Sequence, residues 1–263
     1  MNVLPPLAVF LRRYDPDRFL TTLFAPPAQR PALWALYAFN HELARAWEVA
    51  SLAPLALIRL QWWREVVEGA ARVHEVATPL QAEIAAGRLD RAALLGLIEA
   101  REEFEEPADL AGWASGLEAG AGGLAVLAGR ILAAPAAPAA LTSAQEERLR
   151  ALGAGYGAVG QALSLPAYAA QGRCPAPATL LQQAGISREE AIAVPADPRL
   201  GAVRAAMLGW AAARLGRPAW LARPLLAAGL PAVLARRDIR HGARARGVGS
   251  RWAVLGADLL GRV

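Results

Sequence analysis

Apolar positions recur at three- and four-residue spacing along most of the chain, the mark of amphipathic helices, and no run alternates with the two-residue period of a strand. The longest stripe passes through Leu36, Phe39, Leu43 and Ala46, and Trp34, Tyr37 and Ala38 widen it until most of the circumference is apolar. Ala25-Pro26-Pro27-Ala28 stops the preceding segment, and Pro31 suits the first turn of the helix, where its missing N–H costs nothing. Asn40, His41, Glu42, Arg45 and Glu48 then interrupt an otherwise apolar rod.

The same periodicity lays out the rest of the chain. Residues 6–24 predict a short helix with a turn at Tyr14-Asp15-Pro16-Asp17, whose acids read as N-caps. Residues 55–73 predict a helix broken at 77–79, followed by shorter ones over 80–86 and 90–104. A small-residue helix is expected over 110–132, then a low-complexity linker, AAPAAPAA, over 133–140 inside a single domain covering 1–263. Thr142 or Ser143 should cap the next helix, with Glu146 completing a capping box on Ser143, and Pro166 should end it. A loop leads to a helical turn at 187–193, and helices follow over 200–215 and 218–229, with another starting at Pro231.

Composition fits this pattern. Of 263 residues, 55% are hydrophobic but only 6% aromatic, so the apolar mass is Ala and Leu, strong helix formers. The expected fold class is all-α, and the chain is long enough to bury a substantial core. The single cysteine, Cys174, excludes an internal disulfide and offers no metal-ligand pattern. Met1 to Pro6 lacks a basic n-region, and the apolar stretch 119–141 holds Arg130, Pro135 and Pro138, so the expectation is a soluble, cytoplasmic protein.

The net charge of +5 permits attraction to an anionic surface without demanding it. Arg236, Arg237, Arg240, Arg244, Arg246 and Arg251 read as a flexible, solvated basic tail, or as a peripheral contact with anionic lipid through Arg240, Arg244 and Arg246. No aromatic-interleaved basic motif accompanies them, which sets nucleic acid aside as a partner.

The stretch PPAQRPALWALYAFN, residues 26–40, resembles the aspartate-rich helix of the squalene/phytoene synthase family. That resemblance implies an isoprenoid-synthase bundle with a central cavity, in which two acidic clusters on facing helices hold Mg²⁺ against a prenyl diphosphate. Aligned on Tyr37-Ala38-Phe39, the first cluster falls at Ala44, Arg45 and Glu48, of which only Glu48 is acidic. Glu42 is extra, but it stands roughly 120° from Glu48 on a helix turning about 100° per residue. Counted back from Gly172-Arg173-Cys174-Pro175-Ala176-Pro177, which resembles the family's glycine-arginine turn, the second cluster falls near Ser164 and Tyr168. Between Thr142 and Arg188 the only acids are Glu146 and Glu147, at the far end.

Without acidic clusters the electrostatic basis for diphosphate departure is gone. The resemblance therefore points to the family's non-catalytic branch, which serves the assembly of respiratory complex I; AFNHELA (38–44) and IRLQWWREVVE (58–68) are similar to segments of that branch. It implies a non-enzymatic assembly or scaffolding factor with no metal cofactor, a complex I subunit or assembly intermediate as partner, and an isoprenoid or lipid in the old cavity. The rival expectation is an active prenyl-diphosphate-condensing synthase using Mg²⁺. Candidate cavity, ligand or partner residues are Asn40, Glu42, Arg45, Glu48, Arg59, Gln61, Trp63, Tyr156 and Gln161. Glu42, His41 and Arg45, three and four residues apart, also read as a local polar network, Trp62 and Trp63 as core, and His74 as solvent-facing.

Overall fold

The computed structural model describes residues 4–50, 52–102, 106–133, 141–242 and 247–263. Among them no strand forms, and the single domain is helical, as the periodicity predicts. The linker residues 134–140 and Arg244 and Arg246 lie outside the described residues.

The first two helices, α1 (Pro6–Tyr14) and α2 (Pro16–Thr22), meet at Asp15, which caps α2 by accepting from the Arg18 backbone N at 3.1 Å. Asp17, in the first turn of α2, is buried and accepts from the Tyr156 hydroxyl at 3.2 Å. After a 3₁₀ turn comes α3 (Arg30–Glu48), buried without interruption from Ala32 to Asn40. Its entry is pinned by Gln29, whose Nε2 donates to the carbonyls of Ile131 and Leu132 at 3.2 and 3.0 Å.

α4 (Ala53–Glu68) stops earlier than residue 73 because Gly69, at φ 113°, turns left-handed, and the N–H groups of Gly69 and Ala70 close on the Glu65 carbonyl. His74 is half-buried, correcting the solvent-facing expectation. Its Nδ1 accepts from Val76 and Ala77 N at 3.1 and 3.4 Å, and its ring meets Trp62 and Trp63 edge-on. It thereby starts α5 (Ala77–Ala85), so Pro79 sits in a first turn rather than in a break. α6 (Arg91–Glu102) follows.

The helix expected over 110–132 is α7 (Leu110–Leu117), one π-helical turn at Glu118–Gly122, and α8 (Gly123–Ala133). By length and composition this rod could cross a membrane, but 61% of its most apolar window is buried inside the bundle. α9 (Ser143–Leu163) begins one residue earlier than a box on Ser143 requires. Thr142 and Gln145 form the box, and Glu146 instead pairs with Arg130 at 2.8 Å. Pro166 opens α10 (Leu165–Ala169).

Of the next elements, α11 (Ala178–Gln183) falls inside the expected loop, and α12 (Arg188–Ala193) and α13 (Leu200–Leu215) match the periodicity. Residues 218–229 are not one helix. Ala219 and Leu221 bond the carbonyls of Val263 and Gly261, a 3₁₀ turn follows, and only α14 (Leu226–Gly229) is helical. α15 (Pro231–His241) and α16 (Val248–Leu260) replace most of the expected solvated tail. Arg236 is buried, donating to the Leu215 and Gly216 carbonyls at 2.7 and 3.1 Å where α13 ends. Burial, with Arg148 and Arg240 near, lowers its pKa to about 10.

One apolar core runs through all of this, with α8 packed between α3 and α9 and α13 and α15 against the far side of α9.

Candidate functional site

Two hollows of about 420 Å³ each flank α3. The central one lies among α1, α3, α6, α9 and α10. Asn40, Ala44 and Glu48 line it from α3, Gln161 and Ser164 from α9, and Tyr168 from α10, with Asp15, Arg18, Arg101 and Tyr156 completing its polar wall. The other is a groove between α3 and α4, lined by Glu42, Arg45, Ile58, Arg59, Trp62, Trp63 and His74.

The nine sequence candidates therefore do not form one site. Asn40, Glu48, Tyr156 and Gln161 line the central cavity; Glu42, Arg45, Arg59 and Trp63 line the groove; Gln61 is exposed and lines neither. The cause is helical phase. Residues 40, 44 and 48, four apart, share one flank, whereas 42, 45 and 46 are rotated onto the other. Trp63 is buried as expected, against Phe39 at a centroid distance of 5.5 Å, while Trp62 is only partly buried.

Of the positions where the resemblance expects carboxylates, Ala44, Ser164, Tyr168 and Glu48 line the central cavity. Arg45 turns into the groove, where it pairs loosely with Glu42 at 3.7 Å. The counted positions thus find the cavity wall, but only Glu48 brings a carboxylate there.

Two arginines, Arg18 and Arg101, stand on the same wall beside His41. Arg18 holds Asp15 at 2.7 Å and lies over the Tyr37 and Tyr156 rings at 5.4 and 5.1 Å. Burial opposes its charge, yet Asp15 and the two phenols more than offset this and raise its pKa. Arg101 donates to Asn40 Oδ1 at 3.3 Å. Burial lowers its pKa despite Tyr168 and Glu48, and Arg18 and Arg173 add to the lowering. Burial also raises the Tyr168 phenol. Arg173 lies over the Trp47 and Tyr168 rings at 5.9 and 5.4 Å.

Sequence reasoning missed Arg18, Arg101 and Arg173. Arg101 left a signal, since it continues the buried stripe Leu94, Leu97, Ile98 at three- and four-residue spacing.

Magnesium wants several hard oxygen donors around one octahedron. Among the described residues Glu48 and Asp15 are the carboxylates lining the cavity, Asp15 is held by Arg18, and no cluster of three His, Cys, Asp or Glu suited to a metal exists. The residues present do not fit the paired magnesium sites that the resemblance implies.

A helical bundle with a polar cavity beside its most buried helix is the isoprenoid-synthase architecture. Residues 11–247 match the squalene/phytoene synthase family, and the chain belongs to that family. Among solved structures it is similar to a dehydrosqualene synthase in complex with ligand, at TM-score 0.71 and 12% identity over 97% of this chain and 94% of that one. It is also similar to squalene synthase HpnC from Alicyclobacillus acidocaldarius, at TM-score 0.61 and 19% identity over 97% and 92%. At these identities the likeness shows the fold. A 58-residue segment is 38% identical to NADH dehydrogenase (ubiquinone) complex I, assembly factor 6, of Homo sapiens, spanning 22% of this chain and 17% of that protein.

Proposed function

We propose that this chain is a non-catalytic member of its family that works in the cytoplasm as an assembly factor for respiratory complex I. The observation that carries the reading is the central cavity, in which Ala44, Ser164 and Tyr168 stand where carboxylates are expected and Arg18 and Arg101 add positive charge. Such a wall attracts an anionic or polar lipid headgroup, but it supplies no paired metal to draw electrons from a departing diphosphate. The similarity to the human assembly factor supports the choice of partner. In this reading the partner contact is the α3–α4 groove, beside which Leu52, Leu55 and Ile58 are exposed.

The test is deletion of the gene in its own host. Membrane NADH:quinone oxidoreductase activity should fall while squalene and carotenoid levels stay unchanged, and complementation should survive Glu48→Gln. Normal NADH oxidation together with a missing isoprenoid product would overturn the reading.

One observation favours the rival synthase: Glu48 keeps a carboxylate on the cavity wall. Pyrophosphate release from farnesyl or geranylgeranyl diphosphate with Mg²⁺ or Mn²⁺, abolished by Glu48→Gln, would establish it.

A further inference from the structure

The last helix has two apolar faces where closing a bundle needs one. Ser250 and Val254 of α16 are buried against the body. On the wheel, at about 100° per residue, Val248, Trp252 and Leu259 fall on the opposite side, and each is about two-thirds exposed. A helix with no outer partner carries polar residues there. A second exposed indole adjoins the helix's C-terminal end. Trp220 pairs with Arg262, is about two-thirds exposed, and is so close to Gly261 that a Cβ there would lie 3.3 Å from its Nε1.

The charge of the molecule gathers at the same place. Residues 231–263 contain seven arginines and two aspartates, whereas the preceding 230 residues contain 21 arginines and 21 acids. In sequence the whole net charge of +5 thus falls in this stretch, and its described residues hold five arginines against two aspartates. Arg236 is occupied in capping α13, but Arg240, Arg251 and Arg262 are exposed. An outward stripe with tryptophan, bordered by arginine, matches the interfacial zone of a bilayer, where indoles lie at headgroup depth and guanidinium groups meet anionic phosphates.

We propose that α16 is a membrane-docking helix that lays Val248, Trp252 and Leu259 into the interface of an anionic phospholipid bilayer, with Arg240, Arg251 and Arg262 on the headgroups. The proposal is independent of what the central cavity does.

Vesicle sedimentation tests it, using the full chain with phosphatidylcholine alone and with phosphatidylcholine containing phosphatidylglycerol. Binding is expected on the anionic vesicles, falling steeply as salt shortens the Debye length. Arg251→Gln and Arg240→Gln should each weaken it by about fivefold. Trp252→Ser should abolish it, with the melting temperature unchanged because the side chain faces outward. Equal binding to neutral and anionic vesicles, or full binding by Trp252→Ser, would overturn the proposal. So would a dimer in light scattering that Trp252→Ser converts to monomer, since a second copy would then cover the stripe.

Discussion

The indole of Trp113 donates to Gln161 Oε1 at 2.7 Å, tying the fully buried centre of α7 to the cavity face of α9. The cavity-lining amide is therefore also a structural acceptor. Gln161→Leu would leave a buried N–H without a partner, and urea denaturation should show a loss of about 1–3 kcal/mol. Gln161→Glu, which keeps an acceptor, should lose less. Equal losses would mean that the bond is not what holds α7 to α9.

Two glycines of α9 should respond with opposite signs. A Cβ at Gly153 would lie 2.4 Å from the Ala121 carbonyl oxygen and 2.6 Å from Ala125 Cβ, so the π turn would have to move. Gly153→Ala should destabilise by about 1–3 kcal/mol. At Gly160 a Cβ meets nothing within 4 Å, and Gly160→Ala should stabilise by about 0.5–1 kcal/mol through chain entropy and helix propensity. Thermal unfolding of the two variants checks the ordering.

Alkaline pH should find Tyr37. Burial pushes its phenol up to about 12 from an ordinary 10.0, with Arg18 pulling the other way. A raised folded-state value means that the neutral phenol favours the fold. That contribution is complete below pH 10 and is lost as pH rises toward 12. A late-titrating tyrosinate should be visible by absorbance and vanish in Tyr37→Phe, which should also show a shallower loss of stability in that window.

Magnesium should have no effect on folding. With Glu48 accompanied by Ala44 and arginines, millimolar Mg²⁺ or a chelator should leave the melting temperature in place. A rise with Mg²⁺ that Glu48→Gln removes would restore a metal site to the cavity.

How far the sequence carried depends on where each determinant sits. α13 coincides with its predicted span because its stripe and its terminating glycine are both local. The positions of Ala44, Ser164 and Tyr168 on the cavity wall followed from the family resemblance, counted from Tyr37-Ala38-Phe39 and from Gly172-Arg173. The division of the α3 candidates did not, because a rod buried on all sides from Ala32 to Asn40 has no polar face to show which flank meets which neighbour. Residues 218–229 were misread because the bonds that hold Ala219 and Leu221 straight come from the chain's last residues. Arg236 looked like a tail charge because its acceptors, the carbonyls at the end of α13, are 20 and 21 residues away. Nothing in a run of Gly and Ala marks a π turn, so the change of register at Glu118–Gly122 left no trace in the pattern.

That turn acts as a vernier. A π turn holds one residue more than the α turn it replaces, so α7 and α8 are offset by roughly 100° although they form one rod. Each half can then be aimed separately, α8 presenting the Ile131 and Leu132 carbonyls to Gln29 and α7 presenting Trp113 to Gln161. Excising the single residue Ala119 would straighten the rod and swing Trp113 off Gln161. It would also carry away Pro107 and Ala108, whose carbonyls anchor the start of α11. A change of length by one residue at this point therefore reaches both α9 and α11, whereas Gly120→Ala, whose Cβ would meet only Ala100 Cβ at 3.9 Å, would go unnoticed.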